Sequence, residues 1–171
     1  LAGIRWIELR QDGDNLPWSL YQEGTYTAPD GKHAWCASLS MDNQGNIGMG
    51  YTGMGGPAGT RVSSYYTGRY DSDPLGTMTV AEEVIAIGNQ NIPNFRYCDY
   101  NKIEVDPSDD QTFWFINEYM NNGKKDVVGV FKLAPDLAID GGAVNISSPV
   151  TGALSDAETV TISVFNFGIN P

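Results

Sequence analysis

Three aspartates lie close together in the segment Asp106-Pro107-Ser108-Asp109-Asp110, between two runs of β-prone residues. Carboxylates at this spacing can hold Ca²⁺, a hard cation that prefers several oxygen ligands. The same pattern is typical of a tight turn, because Pro fixes φ and Asp accepts hydrogen bonds from nearby backbone N–H groups. The similar segment 42–46 (DNQGN) carries one acid only, which favours the turn. We therefore predict a hairpin here and no cofactor, with Asp106, Asp109 and Asp110 kept as weak candidate Ca²⁺ ligands.

A second set of side chains has the chemistry of a binding site. Its members are His33, Trp35, Arg96, Asp99 and Tyr100. An aromatic ring can stack on a sugar while Arg and Asp exchange hydrogen bonds with the sugar's polar atoms. The alternative is that Arg96 pairs with Asp99 and that the aromatic rings pack in a core. His33 is the only histidine, so a Ser-His-Asp triad would depend on it alone, and no nucleophile elbow accompanies it.

Alternation of apolar and polar residues recurs along most of the chain and predicts strands. The predicted strands are 3–10, 17–24, 33–41, 46–52, 61–69, 77–87, 95–105, 112–120, 126–132 and 158–167. The segments between them are rich in Gly, Asp, Asn and Pro, and no segment has sustained helical periodicity. The predicted fold class is all-β with antiparallel strands.

The strands fall into a repeat in which Asp42 and Asp106 each end a strand, precede a short turn and are followed by another strand. Such a repeat is typical of four-stranded antiparallel meanders, the blades of a β-propeller. We predict about two blades of an incomplete ring over residues 1–133 and a linker over 134–143. Residues 144–171 match only the first strands of an immunoglobulin-like β-sandwich. A chain that starts Leu1-Ala2-Gly3 and stops within such a module is expected to be part of a longer protein.

The segment 96–119 resembles a motif of secreted bacterial β-propeller proteins of the sialidase-like, BNR-repeat type. The matching residues are Arg96, Asp99, Tyr100, Val105, Asp106, Pro107, Asp109, Asp110, Thr112, Phe113, Trp114, Asn117, Glu118 and Tyr119. The resemblance extends over about residues 17–133. It departs from the family at Gln111, where the family has Cys, and at Tyr97-Cys98, where it has Trp-Gly. The resemblance implies a secreted or cell-surface module that binds a glycan or protein ligand or has a structural role.

Two other functions remain open at this point. The resemblance also implies a sialidase-type glycoside hydrolase, which would use a Tyr nucleophile assisted by Glu, an Asp acid/base and three arginines. Tyr65, Tyr66 and Glu82 are available for such a site, and so are five arginines, but no spacing joins them into a set. The third function is a subunit of an extracellular filament or surface layer that self-associates through exposed blade edges.

Composition limits the partners. Ten basic and twenty-one acidic residues give a net charge of −11, which disfavours nucleic acid as a partner. No apolar run approaches the length of a transmembrane segment, so we expect no membrane insertion. The two cysteines, Cys36 and Cys98, can either pair with each other or remain buried thiols.

Overall fold

The structure, a computed structural model, describes residues 1–93, 96–133, 141–148, 157 and 159–166. It contains eleven strands within those residues, numbered in chain order. They are β1 (Ile4–Arg10), β2 (Ser19–Tyr26), β3 (His33–Met41), β4 (Ile47–Gly55), β5 (Thr60–Arg69), β6 (Val80–Ala86), β7 (Lys102–Val105), β8 (Phe113–Met120), β9 (Lys124–Phe131), β10 (Gly141–Ser148) and β11 (Thr161–Asn166). The all-β, antiparallel prediction is confirmed. Across the described ranges there is no helix that could cross a membrane.

The chain divides into two compact units, Leu1–Leu133 and Ala134–Pro171. The first unit has three sheets: the hairpin β1-β2, the four-stranded sheet β3-β4-β5-β6 and the three-stranded sheet β7-β8-β9. In the second unit, β10 pairs with β11 in antiparallel fashion. None of the sheets formed by the described residues closes on itself.

The four-stranded and three-stranded sheets pack face to face, and glycine makes this close approach possible. A Cβ added to Gly48 would lie 2.8 Å from Cδ1 of Phe113, and one added to Gly50 would clash with the ring of Phe115. Phe113 and Phe115 are fully buried as a result. Because any side chain at these positions of β4 would push β8 away, the two sheets depend on glycine in one and phenylalanine in the other.

Polar groups also join the two sheets. The Asn117 side chain on β8 donates hydrogen bonds to Thr52 Oγ1 (3.1 Å) on β4 and to Ser64 Oγ (3.0 Å) on β5. All three residues are buried, so each hydrogen bond compensates for the loss of water around its groups. This network fixes the register of one sheet against the other.

The two aspartate turns are built alike, and the predicted hairpin at 106–110 is confirmed. The backbone N–H of Asp42 donates to the carbonyl of Asn46 (2.9 Å), and that of Asp106 donates to the carbonyl of Thr112 (2.7 Å). In both turns the Asp carboxylate accepts a hydrogen bond from the backbone N–H two residues later. The turns also touch, because the N–H of Asn43 donates to the carbonyl of Asp110 (2.9 Å).

Four sequence predictions need correction. Strand β7 begins at Lys102 and not at 95, and Cys98 has a positive φ of 68°, outside the extended range of regular strand residues. The second meander therefore has three strands in the described part of the chain. Strand β4 extends beyond 52 to Gly55, and β10 begins at Gly141, within the predicted linker 134–143. Residues 94–95, 134–140, 149–156, 158 and 167–171, on which parts of these predictions fall, lie outside the described residues.

Candidate functional site

A groove of about 580 Å³ lies beside strands β8 and β9 and the segment that precedes β7. It is lined by Asp99, Tyr100, Asn101, Lys102, Ile116, Asn117, Glu118, Lys124 and Asp126. Its size is within the range of small-ligand sites, and its lining combines one aromatic ring with carboxylate, amide and ammonium groups. Two of the five residues predicted as ligand-binding, Asp99 and Tyr100, line it.

Tyr100 is the aromatic residue of this groove, and 84% of its surface is accessible to solvent. Arg96 forms an ion pair with Asp99, and the guanidinium is largely exposed. The sequence also allowed these two side chains to pair with each other, and they do so. Both groups remain in contact with solvent, and Asp99 lines the groove whereas Arg96 does not.

Glu118 and Lys124 are site residues that the sequence analysis did not select. Glu118 is 7% exposed, and its carboxylate accepts hydrogen bonds from Lys124 Nζ (2.8 Å) and from the backbone N–H of Cys98 (2.9 Å). Burial opposes ionisation of Glu118, but these two hydrogen bonds prevail and hold its pKa below the usual range. The polar pair Asn117-Glu118 within the otherwise apolar segment 113–120 is the sequence signal for this position.

Tyr97 and Cys98 hold in place the segment that carries Asp99 and Tyr100. The Tyr97 hydroxyl donates to the carbonyl of Glu118 (2.5 Å), and burial raises the pKa of Tyr97 to about 12. Cys98 forms a disulfide with Cys36 on β3, with the two Cα atoms 6.0 Å apart. The disulfide therefore connects the four-stranded sheet to the segment that carries Asp99 and Tyr100.

The other two predicted ligand-binding residues lie elsewhere. His33 is exposed at the start of β3, where its Nδ1 accepts a hydrogen bond from the backbone N–H of Ala2 (2.9 Å). Trp35 packs against Tyr97 with ring centroids 5.3 Å apart and belongs to a buried cluster. Neither residue lines the groove, so the five predicted residues are not brought together at one place.

The three candidate Ca²⁺ ligands hold the hairpin between β7 and β8. Asp106 accepts hydrogen bonds from the N–H of Ser108 (2.8 Å) and from Trp114 Nε1 (3.0 Å). Asp109 accepts from the N–H groups of Gln111 and Thr112, and Asp110 has a positive φ of 54°. Among the residues that the structure describes, no three His, Cys, Asp or Glu side chains form a group that could hold a metal ion.

A Tyr–Glu pair is present, but it differs from the one anticipated for hydrolase chemistry. Glu82 accepts hydrogen bonds from Tyr51, not from Tyr65 or Tyr66, and from Lys32 Nζ (2.6 Å). Tyr51 is fully buried, so its hydroxyl cannot reach a substrate in this conformation. A smaller groove of about 410 Å³ reaches Glu82 from outside.

The arginines are placed in separate surroundings. Arg5 pairs with Glu23, while Arg10 pairs with Glu8 and covers the ring of Tyr21. Arg69 is 1% exposed and donates to the carbonyl of Asp73 (2.8 Å). Those contacts do not form a cluster able to clamp one carboxylate.

The groove lining offers several groups that can hold a polar ligand. Glu118 is ionised and already accepts two hydrogen bonds, which leaves it poorly suited to act as a general acid. The neighbouring amide, carboxylate and ammonium groups can still accept from or donate to a ligand held against Tyr100. Comparisons with protein-family models, curated proteins and solved structures find no match.

Proposed function

We propose that this chain is part of a secreted or cell-surface β-propeller protein and that it binds a glycan in the groove beside Tyr100. The two larger sheets are consecutive blades, and β10 and β11 are opening strands of an immunoglobulin-like module. The face-to-face stacking of the sheets and their matching aspartate turns support the blade assignment.

The observation that carries the binding proposal is the position of Tyr100. A ring that is 84% exposed offers an apolar face whose burial by a ligand is favourable, and a sugar has an apolar face that can stack on it. Asp99, Asn101 and Lys124 line the same groove and can exchange hydrogen bonds with the hydroxyl groups of that sugar.

The disulfide supports an extracellular location, and the net charge argues against one class of ligand. The Cys36–Cys98 disulfide is of a kind that persists in oxidising compartments and is rare in reducing ones. The net charge of −11 favours solubility and repels phosphate backbones, so a nucleic-acid ligand is disfavoured.

The test is titration of the 171-residue chain against a panel of neutral and acidic oligosaccharides, with calorimetry on those that bind. We expect Tyr100→Ala to weaken binding at least about tenfold, because it removes the stacking surface. Tyr21→Ala is the matched control, since Tyr21 is also exposed but lies on β2 outside the groove. Unchanged binding in Tyr100→Ala, or no binding to any oligosaccharide, would refute the proposal.

The same experiment separates binding from hydrolysis. The bound oligosaccharide is recovered and weighed by mass spectrometry, and we expect it to be intact. Release of a shorter sugar by the chain would favour the sialidase-type hydrolase in place of the binding module.

A further inference from the structure

The outer face of the three-stranded sheet, opposite the face that contacts β4, carries two parallel rows of exposed side chains. Each row crosses the sheet through directly paired residues. One row is Glu104 on β7, Trp114 on β8 and Val130 on β9, and the other is Lys102, Ile116 and Val128 on the same strands. The four apolar residues are between 45% and 52% exposed. Strand β8 thus has apolar residues on both faces of the sheet, which is typical of a strand covered on both sides.

We propose that this face binds a second copy of the same chain, related by a two-fold axis that lies between the sheets and perpendicular to their strands. Such an axis places one row of the first copy against the other row of the second. Trp114 then faces the partner copy's Ile116, Val130 faces its Val128, and Glu104 faces its Lys102. Large side chains meet other apolar side chains, and each acid meets a base.

The charges of this face allow self-association despite the net charge of the chain. Within one copy, Lys102 Nζ lies 2.6 Å from Glu104 Oε1, and both side chains are about two-thirds exposed at 67% and 64%. The two residues cancel each other locally, and they can exchange partners with the second copy without leaving a charge unpaired. Like-charge repulsion of the whole chain is screened beyond a Debye length of about 8 Å at physiological salt.

The area sets the expected strength of the dimer. Strand β7 has four residues and strands β8 and β9 have eight each, so strands about 4.8 Å apart with a rise of about 3.3 Å per residue give a face of roughly 300 Å² per partner. This is less than half of the roughly 800 Å² per partner found in standard stable interfaces, so we expect a weak, concentration-dependent dimer. The groove shares Lys102 and Ile116 with this face, whereas Glu104, Trp114, Val128 and Val130 lie outside it, so Glu104→Lys tests the dimer separately from the proposed glycan site.

The inference is tested by sedimentation velocity of the 171-residue chain from about 10 μM to about 1 mM, a range that covers weak association. We expect the weight-average mass to rise from monomer toward dimer. Glu104→Lys and Lys102→Glu should each weaken the dimer about tenfold, because two-fold symmetry repeats every like-charge contact. The double variant K102E/E104K exchanges the two charges and should restore the dimer.

A second apolar surface provides the control. Leu20 is 54% exposed on the hairpin β1-β2 and pairs with Leu9, so Leu20→Lys alters an apolar patch of similar kind. Circular dichroism confirms that each variant is folded. A chain that stays monomeric throughout, a dimer lost in Leu20→Lys, or a double variant that does not recover would each overturn the inference.

Discussion

The two larger sheets differ in how many of their faces are covered. The seven residues of β4 from Ile47 to Gly53 are all buried, so the four-stranded sheet is covered on both faces. In β8, by contrast, buried Phe113 and Phe115 alternate with exposed Trp114 and Ile116. The four-stranded sheet is the inner layer of the unit, whereas the three-stranded sheet keeps one face open. The groove and the proposed dimer surface both lie on the three-stranded sheet, at positions where packing within the chain leaves side chains available.

The largest effect on stability is expected from a side chain added to the four-stranded sheet where it contacts β8. Gly50→Val places two methyl groups where the ring of Phe115 lies. We expect the free energy of unfolding to fall by about 3 kcal/mol, because either the sheets separate or Phe115 leaves its preferred rotamer. Urea denaturation of the chain measures this loss.

Gly13→Ala provides the control for that substitution. Gly13 lies in the turn between β1 and β2, where a Cβ would be 3.4 Å from Leu16 Cδ1, an ordinary contact. Its effect should be within about 0.5 kcal/mol of zero. If Gly50→Val were equally mild, the sheets would not be in the close contact that makes the four-stranded sheet an inner layer.

Much of this fold can be predicted from the sequence where local pattern and tertiary packing agree. Strand β3 was predicted at 33–41 and is found at His33–Met41, because its alternation and its flanking turns are local signals. The prediction for strand β7 starts at residue 95, whereas the strand starts at Lys102, and the described residues 96–101 are not part of it. Its first part is fixed by contacts from Tyr97 and Cys98 to Glu118, about twenty residues away, and no local pattern reveals those contacts.

The candidate site could be predicted only in part for the same reason. Of the five residues predicted to bind a ligand, Asp99 and Tyr100 line the groove. Glu118 and Lys124 were missed, because their roles arise from the pairing of β8 with β9 and from the return of the chain at Cys98. His33, Trp35 and Arg96 belong to the same predicted set, and they do not line the groove.

The two aspartate turns give a finer test of the comparison, because they share one geometry at different burial. Asp42 is 8% exposed and its carboxylate accepts three hydrogen bonds, two from Asn46 and one from Gln44. We expect Asp42→Ala to cost about 2 kcal/mol, since it leaves buried donors without acceptors. Asp106→Ala should cost less, because water can replace its carboxylate at Ser108.

Urea denaturation of both variants decides the point. Asp42→Asn keeps one side-chain oxygen as an acceptor and should recover part of the loss, which separates the hydrogen bonds from the fit of the side chain. Equal losses in Asp42→Ala and Asp106→Ala would show that the two turns are buried alike and that the difference between the sheets does not extend to their hairpins.

The smallest expected effect is the dependence of stability on pH in the outer hairpin. Burial raises the pKa of Asp109, but hydrogen bonds from Thr112, Gln111 and Lys132 outweigh it and hold the pKa well below the usual 3.8. A carboxyl whose pKa is lower in the folded state binds fewer protons there than in the unfolded chain. Its contribution is therefore complete above pH 3.8 and is lost as the pH falls through the folded-state pKa. Because the side chain is one-third exposed (33%), solvent screening keeps this contribution below about 1 kcal/mol.

We expect Asp109→Asn to flatten the decline in unfolding free energy between about pH 4 and pH 2. The control Asp12→Asn, in the exposed turn after β1, should leave the decline unchanged, and an equal flattening there would mean that net charge rather than the hairpin sets the acid limit.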